Sequence, residues 1–204
     1  MSAVNLWEIE DALYEQGIRN ICGVDEAGRG PLAGPVCAAA VILPEHLELP
    51  GLNDSKKLTD KRRRELFPII KEQAVAYGIG FASEQEIDEL NILQATFLAM
   101  QRAIDQLHGK AEFALIDGNR EKDFGLPVMT VVKGDSRSAN IAAASILAKV
   151  TRDDLMLEMA EKYPEYAFEI HKGYGTKKHY EALTEHGMCP IHRKTFLRKF
   201  YENK

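Results

Sequence analysis

The segment Asp25-Glu26-Ala27-Gly28-Arg29-Gly30 has the clearest chemical potential in this chain. Its two adjacent carboxylates end an apolar run at 21–24, and a strand that stops on acids presents hard oxygen ligands to a divalent cation. The glycines allow the backbone to approach a bulky ligand closely. The guanidinium of Arg29 offers a fork of donors suited to phosphate. Together these features predict chemistry on a phosphodiester.

Two further acids lie at the ends of predicted strands. Asp117 precedes Gly118, and Asp135 follows Gly134. Strands that share a sheet can bring their ends to one edge, so these acids can converge with Asp25 and Glu26. Such a cluster suits hydrolysis with two Mg²⁺ or Mn²⁺ ions about 3.5–4 Å apart. The alternative is that the Asp-Gly pairs are ordinary turn residues.

The glycine segment also matches the dinucleotide-binding pattern G-x-G-x-x-A, from Gly28 to Ala33. That pattern requires a helix to begin at the glycines. Pro31, Gly34 and Pro35 leave no room for a helix before the next strand, which weighs against a dinucleotide-dependent enzyme. A measurement of NAD(P) binding would distinguish that alternative.

Three other groups of residues have a possible ligand. His186, Cys189 and His192 are spaced three apart, but no second Cys/His pair completes a tetrahedral zinc site. Tyr174 lies between two glycines in a basic stretch, where its ring can stack on a sugar or base or can simply belong to a turn. Lys56 and Lys57 can contact phosphates, or they can be solvated lysines.

The hydrophobic pattern predicts a mixed sheet in an α/β domain. Five strands are predicted, at 21–24, 36–43, 75–82, 113–116 and 128–132. Thr59 is expected to cap a basic helix through Gln73, bent or interrupted at Pro68. A capping box at Ser83 and Glu86 begins an apolar helical pattern that continues to Leu107. Ser138 is expected to cap an alanine-rich helix, and two more helical pieces follow in the tail.

Composition and length favour one domain with a sizeable core. The chain has 204 residues, of which 45% are hydrophobic and 28% are charged. No apolar stretch is long enough to cross a bilayer, and residues 1–20 carry acids where a secretory signal would be basic and apolar. Three cysteines are too few for a disulfide framework. We therefore expect a reduced, cytoplasmic protein that does not associate with membranes.

Charge is segregated along the chain although the net charge is −5. From Lys172 to Lys204, eight Lys and Arg face three acids, and a second basic group occupies 56–64. Acids collect at 84–89 and 153–169. This distribution can attract a polyanion to one face of an acidic protein. The alternative is two solvated helix faces.

Taken together, these segments closely resemble the bacterial ribonuclease HII family. The resemblance runs through 24–36, 53–58, 117–118, 133–135, 141–153 and 173–176, in that order along the chain. It implies a ribonuclease H-like fold in which a mixed five-stranded sheet is flanked by helices. Residues 1–204 would form a single catalytic domain, with a small basic helical appendage at about 172–204. The stretch before Ile18 matches nothing that the resemblance covers.

The resemblance also implies residue roles. Asp25, Glu26, Asp117 and Asp135 match the four acidic positions that are catalytic and bind Mn²⁺ or Mg²⁺. The backbone of Gly28-Arg29-Gly30 matches the segment that senses the ribose 2′-hydroxyl, and the absence of Cβ atoms there would let the sugar approach. Tyr174 matches the aromatic that stacks on the neighbouring deoxyribose, and Lys56 is expected among the substrate contacts.

The implied activity is hydrolysis of RNA in RNA–DNA hybrids and nicking 5′ to ribonucleotides embedded in duplex DNA. Metal-activated water would attack the phosphorus directly and leave a 3′-hydroxyl and a 5′-phosphate. We expect a monomer. The related ribonuclease HIII carries an extra N-terminal domain, for which twenty residues before the first strand leave no room. A catalytically silent hybrid-binding module would share the basic surface but would have no reason to gather four carboxylates.

Overall fold

The computed structural model of the protein describes residues 5–202, and its centre is one mixed five-stranded sheet. The strands are β1 (Ile21–Ala27), β2 (Val36–Ile42), β3 (Ala76–Ala82), β4 (Phe113–Asp117) and β5 (Val128–Val131). Their order across the sheet is β3-β2-β1-β4-β5. The β1–β2 and β2–β3 pairs are antiparallel, and the β1–β4 and β4–β5 pairs are parallel. The predicted mixed sheet is confirmed.

Helices cover both faces of the sheet. Four helices precede the last strand in the sequence, namely α1 (Glu8–Tyr14), α2 (Asp60–Gln73), α3 (Glu84–Leu90) and α4 (Ile92–Asp105). After the last strand follow α5 (Ala139–Lys162), α6 (Phe168–His171), α7 (Lys177–His186) and α8 (Lys194–Glu202). The two helical pieces predicted for the tail are α7 and α8. No helix within residues 5–202 is long and apolar enough to cross a membrane.

The helix α4 packs closely on β3 because two glycines of the strand leave room for it. A Cβ on Gly78 would lie 2.1 Å from the carbonyl oxygen of Ala103, and one on Gly80 would lie 2.1 Å from that of Ala99. The small residues of α4 contribute to the same contact, so backbone meets backbone. This layer encloses one core cluster, which includes alternate residues of β1 and β2.

The opposite face of the sheet is covered by α2 and α5. Residues 138–148 at the start of α5 are all buried, and a Cβ on Gly23 of β1 would lie 2.1 Å from the Asn140 carbonyl carbon. The small residues of the alanine-rich helix therefore allow its backbone to approach the sheet closely. Ser138 caps α5, as expected, by accepting a hydrogen bond from the Ile141 amide at 3.1 Å.

Three local predictions differ from the structure. β1 continues through Asp25 and Glu26 to Ala27, because these residues still pair with β2. α2 runs through the exposed Pro68 without the interruption that was one of the two effects expected there. The apolar pattern after Ser83 forms two helices, because Asn91 has a φ of 71° and caps α4 with its side chain.

Candidate active site

The strand register brings four acids from distant parts of the sequence to one edge of the sheet. Val24 pairs with Ile116 in the parallel β1–β4 ladder, so Asp25 and Asp117 follow at the same level. Asp117 pairs in turn with Val131 of β5. Asp135 follows in a 3₁₀ turn over Gly134–Ser136. The expected convergence of strand ends therefore occurs, with Asp25 and Glu26 inside β1 instead of after it.

Asp25 is the most enclosed of these carboxyl groups, with 3% of the residue exposed. Its Oδ1 accepts a hydrogen bond from the Glu26 amide at 2.7 Å. Burial, followed by the charges of Glu26 and Asp117, raises its pKa well above the usual range. Burial also raises the pKa of Glu26, although the Arg29 guanidinium, 3.4 Å from its Oε1, acts in the opposite direction.

The second pair of acids is held by the turn after β5. Asp117 Oδ1 accepts a hydrogen bond from the Gly134 amide at 2.7 Å. Asp135 is buried, and its Oδ2 lies 3.8 Å from Lys56 Nζ. Burial, and then the charges of Asp117 and Asp54, raise the pKa of Asp135 to about 6. Lys56 therefore does reach the acidic group.

Asp54 is a fifth acid at this site that sequence reasoning missed. Its charge helps to raise the pKa of Asp135, and its Oδ1 accepts a hydrogen bond from the Lys56 amide at 2.8 Å. The position follows no strand, which is why the search for strand-end acids passed over it. Its position two residues before Lys56, in the same polar loop, could have indicated that Asp54 lies at the site.

The acids fit a divalent cation in donor type but are not already closed around one. Within residues 5–202, no group of three or more His, Cys, Asp or Glu side chains is arranged so that it could hold a metal ion. Carboxylate oxygens are the ligands that Mg²⁺ and Mn²⁺ prefer, and Mg²⁺ usually retains several waters or substrate oxygens. Burial and the neighbouring acids raise the pKa of Asp25, and burial raises that of Glu26 although Arg29 lies close, so added positive charge would stabilise both ionised forms. Bound cations would supply that charge.

Two buried arginines hold the glycine segment beside the acids. Arg193 donates to the carbonyls of Gly28, Arg29 and Gly34 at 2.6–2.9 Å. Arg152 donates to the carbonyls of Ala33, Pro35 and Lys172 at 3.0–3.1 Å. The backbone N–H groups of Arg29 and Gly30 have no acceptor in the described part of the chain. The segment thus turns carbonyls towards the protein and keeps two amide donors available.

The role expected for Gly28 needs correction. It has a φ of +96°, and a Cβ there would lie 2.0 Å from Arg152 Nε. The missing side chain therefore makes room for the protein's own guanidinium, not for a sugar. At Gly30 an added Cβ would lie 3.6 Å from the Tyr174 ring, so this glycine borders the surface that Tyr174 presents.

Tyr174 and the glycine segment meet in the structure although they are far apart in sequence. The Leu32 amide donates to the Gly173 carbonyl at 2.8 Å, which joins the two loops. Tyr174 is 44% exposed, so its ring is open to a ligand. The residues considered for zinc do not form a metal site within the described residues: Cys189 Sγ is 3.1 Å from His192 Nδ1, whereas His186 lies against the Tyr166 ring.

The basic group at 56–64 is less available than its composition indicates. Arg63 donates to the carbonyls of Ser55 and Leu58, and Arg64 pairs with Asp60 and Asp154. Arg62 pairs with Glu65. These arginines brace the loop and α2, whereas the side chains of Lys56 and Lys57 are mostly exposed beside Asp135 and Asp54.

A cavity of about 340 Å³ opens next to the acids. Its lining includes two acids, Glu26 and Asp117, and two basic residues, Arg29 and Arg120. The acids, the glycine segment and this cavity form one continuous surface. It combines ligands for cations with donors for phosphate.

Comparisons with known proteins point to one family. Residues 22–204 match the family model described as ribonuclease HII. The ribonuclease HII of Endomicrobium trichonymphae is 58% identical over 194 residues, which cover 94% of this chain and 92% of that protein. The ribonuclease H2 of Pyrococcus horikoshii OT3 superposes with a TM-score of 0.74 at 29% identity, covering 90% of this chain and 98% of that one. A Bst ribonuclease HIII in complex with Mn²⁺ shares the fold, with a TM-score of 0.63 at 19% identity, over 86% of this chain and 65% of its own.

Proposed function

The chain belongs to the ribonuclease HII family and is a ribonuclease H endonuclease, and on that premise we propose that it also nicks duplex DNA 5′ to single embedded ribonucleotides. The observation that carries this proposal is the meeting of the acidic cluster with Gly28-Arg29-Gly30 and Tyr174 on one surface. A general hydrolase of hybrids needs the acids and a groove. The adjoining glycine segment and aromatic ring add a means to distinguish one sugar from the next.

The acids would hold the catalytic cations. Asp25, Glu26, Asp117 and Asp135 offer oxygen donors whose mutual repulsion a divalent ion would relieve. When bound, Mg²⁺ or Mn²⁺ supplies an activated water and stabilises the leaving oxygen of the phosphodiester. We assign the two-ion form of this chemistry because four carboxylates exceed what one ion usually takes from protein.

The remaining residues bind and orient the nucleic acid. The free amides of Arg29 and Gly30 are positioned to donate to a 2′-hydroxyl, the group that distinguishes RNA from DNA at one position. The guanidinium of Arg29, which is half-exposed beside Glu26, is suited to a phosphate. Lys56 adds positive charge next to Asp135. Tyr174 would stack on the following deoxyribose.

We assign direct hydrolysis, in which the phosphorus–oxygen bond on the 5′ side of the ribonucleotide breaks. The products would carry a 3′-hydroxyl and a 5′-phosphate. Such a reaction needs no covalent enzyme intermediate.

The test is a duplex that contains one ribonucleotide. It is incubated with the protein in Mg²⁺ or Mn²⁺, and the nick and its end groups are mapped. We expect one cut 5′ to the ribonucleotide, with no cut in the matched all-DNA duplex and none in excess EDTA. Cleavage of an all-RNA strand paired with DNA, combined with an uncut single-ribonucleotide duplex, would contradict the proposal while leaving the ribonuclease H activity intact.

We further propose that residues 1–204 act as one catalytic domain and as a monomer, with 172–204 as a basic helical appendage. Its helices pack on Met156 and Ala160 of α5, and Arg193 bonds to the glycine segment, which argues for one unit. Sedimentation of the active protein at assay concentration tests the monomer. Activity that appears only with a dimer would contradict it.

A further inference from the structure

We propose that His179 and His192 are positioning residues that fix the loop carrying Tyr174 through a hydrogen-bonded relay of two neutral imidazoles. The inference rests on the proposed function, because it concerns how the stacking ring is held. Neither histidine belongs to the acidic cluster, and both are buried.

The partners of the two rings determine which nitrogen carries each proton. His179 Nδ1 lies 2.9 Å from the Tyr174 carbonyl oxygen, which can only accept, so Nδ1 carries the proton. The Nε2 atoms of His179 and His192 are 2.9 Å apart. His179 Nε2 must therefore accept and His192 Nε2 must donate. The Cys189 amide donates to His192 Nδ1 at 2.9 Å, which agrees with this tautomer.

The relay thus runs in one direction, from the Cys189 loop to the Tyr174 loop. Each imidazole donates with one nitrogen and accepts with the other, so both must be neutral for the chain to be complete. Burial lowers the pKa of each ring to about 4, which keeps both uncharged at neutral pH. A protonated ring would place two donors against each other.

A third histidine supports the same loop from the other side. His171 stacks on His179 with ring centroids 4.5 Å apart and an angle of 14° between the planes. Its Nδ1 accepts from the Gly173 amide at 3.2 Å, and its Nε2 donates to the Tyr166 carbonyl at 2.8 Å. The Tyr174 amide donates to the His171 carbonyl at 2.9 Å. Both polar backbone groups of Tyr174 are therefore anchored.

The placement of Tyr174 depends on these anchors, because its exposed ring makes little core contact. An apolar residue at 179 or 192 would fill the same volume beside Phe168 at a lower desolvation cost. The polar chain instead ends on the carbonyl of the residue that borders Gly30. Pre-ordering a loop reduces the entropy that substrate binding must otherwise supply.

The test compares two substitutions of His192. His192→Phe keeps the ring volume but removes the donor, whereas the amide of His192→Gln can still donate to His179. We expect His192→Phe to lower kcat/KM on the single-ribonucleotide duplex about tenfold, mostly through KM, and to affect an all-RNA hybrid less. His192→Gln should recover most of the loss. His186→Phe, outside the relay, serves as the control and should act like the wild type.

A second background separates positioning from general damage. In Tyr174→Ala protein, His192→Phe should cause no further change in the ratio of the two rates. An equal loss in both backgrounds would overturn the relay, as would a His192→Gln protein no better than His192→Phe.

Amide exchange at 173–174 provides a measurement independent of activity. Faster exchange in His192→Phe, with His186→Phe unchanged, supports the relay, and unchanged exchange overturns it. If Tyr174→Ala leaves the ratio of rates unaltered, the junction-reading part of the proposed function fails, and exchange alone still decides the relay.

Discussion

The charged side chains around the proposed active site form two groups that differ in their partners. Asp25 and Asp135 are buried and Glu26 is partly buried, and burial, followed by the charges of neighbouring acids, raises their pKa values. Arg152 and Arg193 are buried among backbone carbonyls, and burial lowers the pKa of Arg193 to about 9. The first arrangement calls for a ligand of opposite charge. The second already has its acceptors and serves as scaffold.

Asp25→Asn should abolish turnover and stabilise the metal-free protein. Loss of a cation ligand should lower the rate on the order of 10³-fold or more, and Asp117→Asn should do the same. Because the folded-state pKa of Asp25 is raised, its ionised form opposes folding at neutral pH, so the amide should raise Tm without metal.

Nicking assays and thermal unfolding with and without Mn²⁺ check both parts. Mn²⁺ should raise Tm in the wild type and much less in Asp25→Asn. The exposed Glu121→Gln is the control. Near-normal turnover by Asp25→Asn would refute the assignment.

Alanine at the two glycines should have separable effects. Gly28→Ala should lower the free energy of unfolding by at least about 1–3 kcal/mol, since its Cβ meets Arg152 and its φ is positive. Gly30→Ala has room to fold but narrows the surface beside Tyr174, so it should reduce cleavage at a single ribonucleotide. Chemical denaturation measures the stability of each variant, and cleavage of the single-ribonucleotide and all-RNA substrates gives the ratio of the two rates. A loss of stability in Gly30→Ala and not in Gly28→Ala would contradict the interpretation.

The buried histidines should make stability depend on acid pH. Burial lowers the pKa of His192 to about 4 from an ordinary 6.5, so the unfolded chain binds its proton first. Stability from this group is therefore complete above about 6.5 and is lost as pH falls towards 4. Urea titrations should show His192→Gln losing less stability than the wild type in that window. Burial raises the pKa of Glu84, which therefore also titrates in acid. Because Glu84 is present in both the wild type and His192→Gln, its effect cancels in the comparison. Equal losses would contradict the prediction.

Sequence reasoning identified residues whose type is unusual at a strand end or between glycines, namely the four acids and Tyr174. It passed over Asp54, although the position beside Lys56 was a local signal, and it could not identify the buried arginines Arg152 and Arg193. These act through contacts between segments up to 165 residues apart, which leave no local pattern. It also gave the wrong reason for the missing side chain of Gly28, because the space that an absent Cβ leaves is known only once the neighbouring Arg152 is placed.

At the scale of elements, contacts between helix and sheet depend on glycines of the strands. Gly80→Ala should lower the free energy of unfolding by about 1–3 kcal/mol, because its Cβ would meet the Ala99 carbonyl in α4. Chemical denaturation measures the loss, with Gly30→Ala as the matched control. An equal stability for the two variants would show that α4 can move away freely.

Elements were predictable where their signals are local. The capping box at Ser83, the cap at Ser138 and the strand patterns all appear in the structure. The break at Asn91 was not predicted, since the apolar spacing continues across it and the left-handed backbone is stabilised by the cap it gives α4. The extension of β1 depended on the length of its partner β2.

At the scale of the molecule, the charge segregation should appear as salt-dependent binding. Lys177 and Lys178 are exposed at the start of α7, directly after the Tyr174 loop. In Ca²⁺, which should hold the complex without turnover, affinity should fall steeply with salt. Lys177→Ala and Lys178→Ala should each reduce the slope of log K against log salt by about 1. Arg62→Ala, whose partner is Glu65, should change it less. An affinity independent of salt would refute the binding surface.

The hydrogen bond from Arg193 to the Gly28 carbonyl joins residues that are 165 positions apart in the sequence. It therefore determines which part of the site can form only late in synthesis. On the ribosome, Gly28 is synthesised roughly 8–33 s before Arg193, at about 5–20 residues per second. Asp25, Glu26 and their strand β1 are translated just before that interval, and Asp117, Asp135 and the other four strands are translated during it. The nascent chain therefore carries all the carboxylates of the site before the guanidinium that holds the glycine segment exists, so the selectivity for the sugar that we propose would be acquired last.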